Sequence, residues 1–392
     1  MRVLVFVNYY LPGDKAGGPI RSIANIVQHL GKEFEFLIAT SDRDSGDKQS
    51  YPGIQVDEWN TVGDARVMYM SPGRRKFRDI IRLIREVNPD LVYLNSAFGS
   101  PWTLFPLLAR RLGLTGNVPF LLAPRGEFSA GALAIKAVKK KLFLALARIA
   151  GLYRNIAWQA STEYEGEDIR RVVRVASERI IVASDLPAAV ALSADDHGYA
   201  EDVAGKLRIV FLSRVSEKKN LLFALQCLQK VSANVEFDVY GAVGDEPYWQ
   251  SCLSAAAGLG GNVAFSYKGA IPHTEVIPTL RRYDLFFLPT YGENYGHAII
   301  EAMLAGLPVL ISDQTPWRNL RGKHAGWDFP LDDIGAFVWA IDEYARLSME
   351  DRRTWRRGAR EYAFNVVASS EDIERNRAMF RVLCLSFATM GL

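Results

Sequence analysis

Leu285 to Pro308, LFFLPTYGENYGHAIIEAMLAGLP, constrains the fold more than any other stretch. Leu285 to Leu288 is an unbroken apolar run, which reads as a strand buried on both faces. Thr290, Tyr291 and Gly292 suit a tight turn. Ile299, Ile300, Met303 and Leu304 then recur at helical spacing until Gly306 and Pro308 stop the pattern. A buried strand leading at once into a helix points to an α/β fold with a parallel sheet. The backbone N–H groups of Tyr295, Gly296 and His297 fall at the helix start, where open donors and the helix dipole favour an anion such as phosphate. Glu293 sits in the loop, and Glu301 lies eight residues later inside the helix. A carboxylate repels phosphate but accepts hydrogen bonds from hydroxyls. The stretch therefore reads as N–H groups for a diphosphate, Glu301 for a ribose and Glu293 for a sugar. By spacing alone the two carboxylates read first as solvated surface residues, and the residues around them reverse that order.

From Glu293 to Val309 the residues ENYGHAIIEAMLAGLPV resemble the Glu-x7-Glu segment of the retaining glycosyltransferases of family 4, which have the GT-B fold. Asn294 stands where that family usually has glycine, and Asn tolerates unusual φ better than most residues.

The length, 392 residues, suits two domains with sizeable cores. A net charge of only +3 argues against a nucleic-acid partner. Cys227, Cys252 and Cys384 are far apart and form neither a metal spacing nor a disulfide framework, as fits a reducing cytoplasm. MRVLVFVNYYLPG lacks a signal-length apolar region, and no run of eighteen apolar residues occurs anywhere. The expected location is cytoplasmic, with peripheral attachment to the inner face of the membrane as one option.

The N-terminal domain is expected over residues 1–184. Val3 to Val7 reads as a central strand, Asn8 to Gly18 as a loop, and Ile20, Ile23, Val27 and Leu30 as the buried face of a helix opened by Pro19. Gly17 and Gly18 allow a phosphate to approach that helix start, although a flexible turn reads equally well. Further strands are expected at Phe34 to Ile38, Leu91 to Leu94, Phe120 to Leu122 and Trp158 to Ser161. Helical patterns run from Phe77 to Val87 and Thr103 to Leu112. After the strand at Leu91, Asn95 stands where many family members have histidine, and it offers a neutral hydrogen bond or simply forms a turn. Arg125, in a Pro-Arg-Gly segment also found in part of the family, suits either an acceptor phosphate or carboxylate, or a surface pair with Glu127. Phe128 to Thr162 contains no acidic residue before Glu163, and Lys136 to Arg154 mixes cations with apolar residues. Such a helix docks on an anionic membrane, or else its apolar stripe is core and its lysines are a solvated face.

Asp185 to Lys206, with Pro187, Asp195, Asp196, His197 and Gly198, reads as the domain boundary, His197 as a surface residue, and residues 185–370 as the second domain. Arg208 to Leu212 is a strand run, followed by SRVSEKKN and a helix from Leu221. The spacing resembles the family's G-R-x4-K-G, with Arg214 and Lys219 as its cations and Ser213 and Asn220 replacing its glycines. Gly241, after the strand Glu236 to Tyr240, and Ala270, after the strand Val263 to Tyr267, stand where the family's backbone meets the nucleotide. His273 and Thr274 look like a helix cap. Trp317 reads as core, or as one wall of a sugar pocket. Residues 371–392 are expected to form a helix, Glu371 to Phe387, that crosses back onto the first domain.

The resemblance implies two Rossmann-like domains facing a cleft, an acceptor on the first and a nucleotide sugar on the second. It implies transfer of a sugar from a UDP- or GDP-linked donor to a glycan or lipid-linked acceptor in polysaccharide synthesis. Arg214 and Lys219 would offset the diphosphate charge, so no cofactor or metal is expected, and no Asp-x-Asp is expected to hold one. Two other classes stay open: a nucleotide-sugar epimerase of the same fold, and a non-catalytic, membrane-docked assembly factor.

Overall fold

The computed structural model describes residues 1–15, 17–134, 137–188 and 205–385. The sequence-based expectations for Lys136, for Asp195 to Gly198 in the linker and for the end of the last helix at Phe387 lie outside them. The chain divides into unit 1, Met1–Val190 with Ser370–Leu392, and unit 2, Ala191–Ser369.

Unit 1 has strands β1 (Arg2–Phe6), β2 (Glu35–Ser41), β3 (Trp59–Val62), β4 (Ala65–Met70), β5 (Leu91–Leu94), β6 (Phe120–Leu122), β7 (Ala157–Ala160) and β8 (Ile180–Val182). Its helices are α1 (Gly18–Leu30), α2 (Phe77–Val87), α3 (Leu104–Arg111), α4 (Ala130–Ala134), α5 (Ala137–Ile149) and α6 (Glu163–Val173). One sheet runs β3-β4-β2-β1-β5-β6-β7-β8, parallel except for the β3–β4 pair at its edge. The unbroken apolar runs of β1 and β5 are wholly buried at its centre, as strands covered on both faces must be. The β3–β4 hairpin departs from the expected all-parallel pattern. Gly63 and Asp64 are its two-residue turn, with Gly63 at φ 57°.

One Asp-x-Asp triplet, Asp42-Arg43-Asp44, follows β2, contrary to the sequence reading. Its carboxylates are already engaged. Asp42 is ion-paired with Arg43 at 2.8 Å and Arg75 at 2.6 Å. Asp44 accepts from the backbone N–H groups of Asp14, Lys15 and Ser45, which ties the loop after β1 to the end of β2.

Helix α5 settles one of the alternatives left open by its sequence. Phe143, Leu144 and Ala147 turn toward the core. Val138, Leu142, Leu146 and Ile149 lie on the other side and are 57–84% exposed. At about 100° per residue these four form one stripe, with Lys139 on one flank and Lys141 and Arg148 on the other. This apolar stripe is therefore not core. Lys140 does not belong to the exposed face: its Nζ donates to the Ala132 carbonyl at 2.5 Å and lies 5.5 Å from the Phe98 ring. Among the described residues no helix is long and apolar enough to cross a membrane.

Unit 2 has β9 (Leu207–Leu212), α7 (Leu221–Leu228), β10 (Val235–Tyr240), α8 (Glu246–Ala256), β11 (Val263–Gly269), α9 (Val276–Leu280), β12 (Leu285–Leu288), α10 (His297–Leu304), β13 (Val309–Ser312), β14 (Gly326–Phe329), α11 (Ile334–Arg346) and α12 (Met349–Ala368). The strand order is β11-β10-β9-β12-β13-β14, parallel throughout. Counted within the unit this is the doubly wound order 3-2-1-4-5-6. In such a sheet the chain leaves its first strand to one side and returns on the other, which opens a crevice beyond the carboxyl ends of the two central strands, here β9 and β12.

At the opposite end of that strand pair, Asp284 is 1% exposed and accepts from Arg208 at 2.8 Å and from Arg356 at 2.7 Å. The Arg208 backbone N–H donates to the same carboxylate at 2.8 Å. This buried triad joins β9, the start of β12 and α12.

The last helix, α13 (Glu371–Leu385), belongs to unit 1. Phe380 packs among Phe34, Phe36 and Tyr93, with ring centroids 5.5–5.7 Å away. Asn376 is fully buried and donates to the Ser184 carbonyl at 2.8 Å.

Candidate active site

Unit 2 brings its expected residues to one edge of its sheet, because every strand ends there. The turn after β9 carries Arg214 and Lys219, and the loop after β12 carries Glu293. Lys219 Nζ donates to Glu293 Oε1 at 2.5 Å across the central crevice. The two loops are also laced by backbone: the Tyr291 N–H donates to the Lys218 carbonyl at 2.8 Å, and Thr290 Oγ1 donates to it at 3.0 Å. Burial alone would push the Glu293 carboxyl up. The ammonium groups of Lys219 and Lys218, with hydrogen bonds from Lys219 and Thr290, outweigh it and hold the pKa below the ordinary carboxylate value. Glu293 is thus an ionised carboxylate in a mostly buried place. Arg214 is exposed, and among the described residues it has no ion pair.

The family's glycines are replaced at three places, and the backbone shows how. Asn220 takes the left-handed conformation at φ 59°, which Asn tolerates. Asn294 is not among the positive-φ residues, so the tolerance expected of it is not called on. Ser213 sits against Gly241, whose φ is 136°, and a Cβ on Gly241 would lie 2.0 Å from the Ser213 carbonyl oxygen. Glycine is obligatory there, and Ser213 is not strained. Gly296 at φ 82° caps α10, and a Cβ on it would meet Ile299 at 2.9 Å and the Trp317 indole nitrogen at 3.2 Å. Helix α10 starts at His297, as its sequence implies. Trp317 is buried, and its Nε1 donates to the Tyr295 carbonyl at 2.6 Å. It is a core residue that holds the entry to α10.

Glu301 has a partner that the sequence reading missed. His273 Nε2 lies 2.8 Å from Glu301 Oε1, so His273 is no helix cap. No spacing rule connects the two, since they meet only because α10 packs on α9. Ala270 is exposed just after β11, and the Gly241 N–H donates to the Gly269 carbonyl at 2.9 Å.

In unit 1, Gly17 is the N-cap of α1 at φ 68°, and neither Gly17 nor Gly18 has a heavy atom within 4 Å of where a Cβ would stand. Arg125 is not a surface residue paired with Glu127. Its guanidinium is buried and ion-paired with Asp185, and it donates to Tyr93 Oη at 2.6 Å and Asn95 Oδ1 at 2.9 Å. Glu127 instead accepts from the Ala97 N–H at 2.6 Å and from Ser96 Oγ at 2.9 Å. Asn95 Nδ2 is buried with no partner among the described residues.

Residues 200–362 match the family model of Glycosyl transferases group 1. Among curated proteins, a phosphatidyl-myo-inositol mannosyltransferase of Mycobacterium leprae is 30% identical over 191 residues, covering 45% of this chain and 50% of that protein. The chain spans about half or less of the length of the curated relatives it matches. Among solved structures, a sucrose-phosphate synthase from Thermosynechococcus elongatus superposes with a TM-score of 0.72 at 16% identity over 99% of both chains. HepE from Anabaena, solved with UDP-glucose, does so at 0.67 and 15% identity over 98% of this chain and 99% of that one.

Proposed function

From the match of residues 200–362 to the glycosyl transferases group 1 model and the GT-B fold, we propose that the chain is a member of that family and moves a hexose from a UDP- or GDP-linked donor to a glycan or lipid-linked acceptor, with retention of configuration. One observation carries this reading: Lys219 and Glu293 meet across the crevice of unit 2, with Arg214 on the same edge. Arg214, Lys219 and the start of α10 at Tyr295, Gly296 and His297 receive the diphosphate, and within unit 1 the start of α1 at Gly17 and Gly18 is a separate place where a phosphate can approach the backbone. Gly241 and Ala270 border the base, and Glu301 accepts from the ribose hydroxyls while His273 keeps its carboxylate oriented. Glu293 accepts from hydroxyls of the donor sugar.

The bond from the anomeric carbon to the leaving phosphate oxygen breaks, and the bond to the acceptor oxygen forms on the same face. The acceptor proton passes to the departing phosphate. Negative charge gathers on the leaving nucleoside diphosphate, and Arg214 and Lys219 stabilise it there. These cations come from the chain itself, so the reaction is proposed to need no metal ion. Asn95 Nδ2 is the proposed acceptor contact, with Arg125 as the positioning residue that holds its Oδ1.

A calorimetric screen of nucleotide sugars, followed by turnover with and without acceptor, tests the reading. A transferase binds one donor class and releases nucleotide fast only with acceptor. An epimerase releases it without acceptor, and an assembly factor turns over nothing. Arg214→Ala should weaken nucleoside diphosphate binding by about 1.5–3 kcal/mol, roughly ten- to hundredfold. Lys219→Ala should cost more, because it also leaves the buried Glu293 carboxylate beside the phosphate without its partner. Wild-type affinity in both variants would remove the diphosphate from this edge.

The exposed stripe of α5 is proposed to rest on an anionic bilayer, its cations against lipid headgroups, which places the enzyme peripherally on the cytoplasmic face. Lys139→Gln with Lys141→Gln should cost about 2 kcal/mol of vesicle binding, roughly thirtyfold, and flatten its salt dependence. Leu142→Ser with Leu146→Ser should remove the binding that survives high salt. Sedimentation with phosphatidylglycerol vesicles unchanged in both pairs of substitutions would reject docking through this face.

A further inference from the structure

The ends of three helices meet in unit 1, and arginines tie them. Arg110, near the end of α3, donates to the carbonyls of Arg154 at 2.9 Å and Asn155 at 2.6 Å. Arg111 donates to the Ala150 carbonyl at 3.0 Å, just past α5. Arg148 donates to the Val172 carbonyl at 3.1 Å, in the last turn of α6. Helix C-termini attract cations, which accounts for Arg111 and Arg148, and Arg110 is accounted for by the two loop carbonyls it holds.

These contacts do not account for Arg154, Arg174 and Arg179. These three, with Arg148, line a cavity of about 350 Å³ whose remaining walls include Leu144, Tyr153 and Val173. That size lies within the ~300–1,000 Å³ usual for small-molecule sites. Among the described residues none of these arginines has an ion pair with a carboxylate, and no acidic residue lines the cavity. Charge here is uncompensated. Arg110 is depressed by burial and further by the neighbouring Arg179 guanidinium. Like charges crowd one another only at a cost, and an anion between them relieves it.

We propose that this cavity binds a phosphate group, with Arg154, Arg174 and Arg179 as its ligands and the apolar walls taking the substituent that the phosphate carries. The apolar lining separates it from a simple cationic surface, since a bare ion has no use for Leu144 and Val173. The site is independent of the donor site proposed above and lies wholly within unit 1.

Calorimetry on the full chain tests it, in an Arg214→Ala, Lys219→Ala background that weakens phosphate binding at the proposed donor site. The two probes are inorganic phosphate and dihexanoyl phosphatidic acid below its micelle concentration. Replacing Arg154, Arg174 and Arg179 together by Gln should weaken both probes at least tenfold, and replacing them by Lys should restore most of the inorganic phosphate binding. All three side chains are exposed, so thermal unfolding should match the parent. Val173→Trp, which fills the cavity and keeps its charge, should block the phosphatidate and spare inorganic phosphate. Phosphatidate binding tenfold or more above inorganic phosphate identifies a lipid headgroup as the occupant, whereas equal affinities identify a soluble phosphate. A parent that binds neither probe, or a triple Gln variant that binds as the parent does, overturns the proposal.

Discussion

Glu293→Gln should lower kcat by about 10²–10³-fold while affinity for free UDP or GDP stays within a few-fold of wild type. Gln keeps the size of the side chain and removes its charge. Free nucleotide keeps its ribose but lacks the transferred hexose, so in the proposed arrangement it does not meet residue 293 directly. It does meet Lys219, and without the Glu293 carboxylate that ammonium is no longer shared, so phosphate binding has no reason to fall. In the proposed reaction the carboxylate acts where positive charge develops on the sugar as the glycosidic bond breaks, and an interaction made only then appears in kcat. Glu301→Gln should do the reverse, weakening free nucleotide and donor alike through the lost ribose contact. Steady-state kinetics beside calorimetry with UDP and GDP checks both. If the two variants lose free nucleotide binding equally, the division of roles between the carboxylates is wrong. The pH dependence has a definite sign. The Glu293 pKa is depressed in the folded chain, so the stability its ion pair contributes is present above the unfolded value and is lost as pH falls through the lower, folded one.

Asp284→Ala should destabilise unit 2 by about 3–5 kcal/mol. Asp284 is almost completely buried and serves two arginines, one of them, Arg356, only 4% exposed. Removing the carboxylate strands both guanidiniums without a counter-charge, and the desolvation already incurred is no longer offset. The triad sits at the far end of β9 and β12 from Lys219 and Glu293, so the folded fraction of the variant should keep its donor affinity. Urea unfolding followed by intrinsic fluorescence, with donor titration at low denaturant, separates the two effects. A loss below about 1 kcal/mol would mean that the triad is a solvated pair network of the ordinary surface kind.

Much of the architecture was legible because it is written locally. The unbroken apolar runs at Leu91, Phe120 and Leu285 are strands with the bounds their residues imply, and α2 runs from Phe77 to Val87 as its periodicity requires. The Glu293 to Val309 stretch was legible for the same reason, since turn, cap and helix follow one another within a few residues. What was not legible depends on partners distant in sequence. Arg125 looks the same in sequence whether it faces solvent or Asp185, and only the order of the sheet, which brings β5 and the segment after β8 around the end of β6, decides. His273 reads as a cap until α10 brings Glu301 to it. The face of α5 was ambiguous because apolar residues occupy both of its sides, and periodicity does not say which side has a neighbour. The β3–β4 hairpin is the exception: its Gly-Asp turn is a local signal that was open to reading.

Helix α13 gives unit 1 a delayed closure. Phe380 fills the space among Phe34, Phe36 and Tyr93, yet it is synthesised only after all of Ala191–Ser369. During translation the N-terminal segment of unit 1, Met1–Val190, leaves the ribosome with that aromatic patch bare, while unit 2 emerges with its full set of strands contiguous in the chain. Unit 2 is therefore the part able to fold as a finished piece first, and unit 1 waits for a plug. A nascent chain of this design carries an exposed aromatic surface for most of its elongation, which is the kind of surface that aggregation begins from and that chaperones guard.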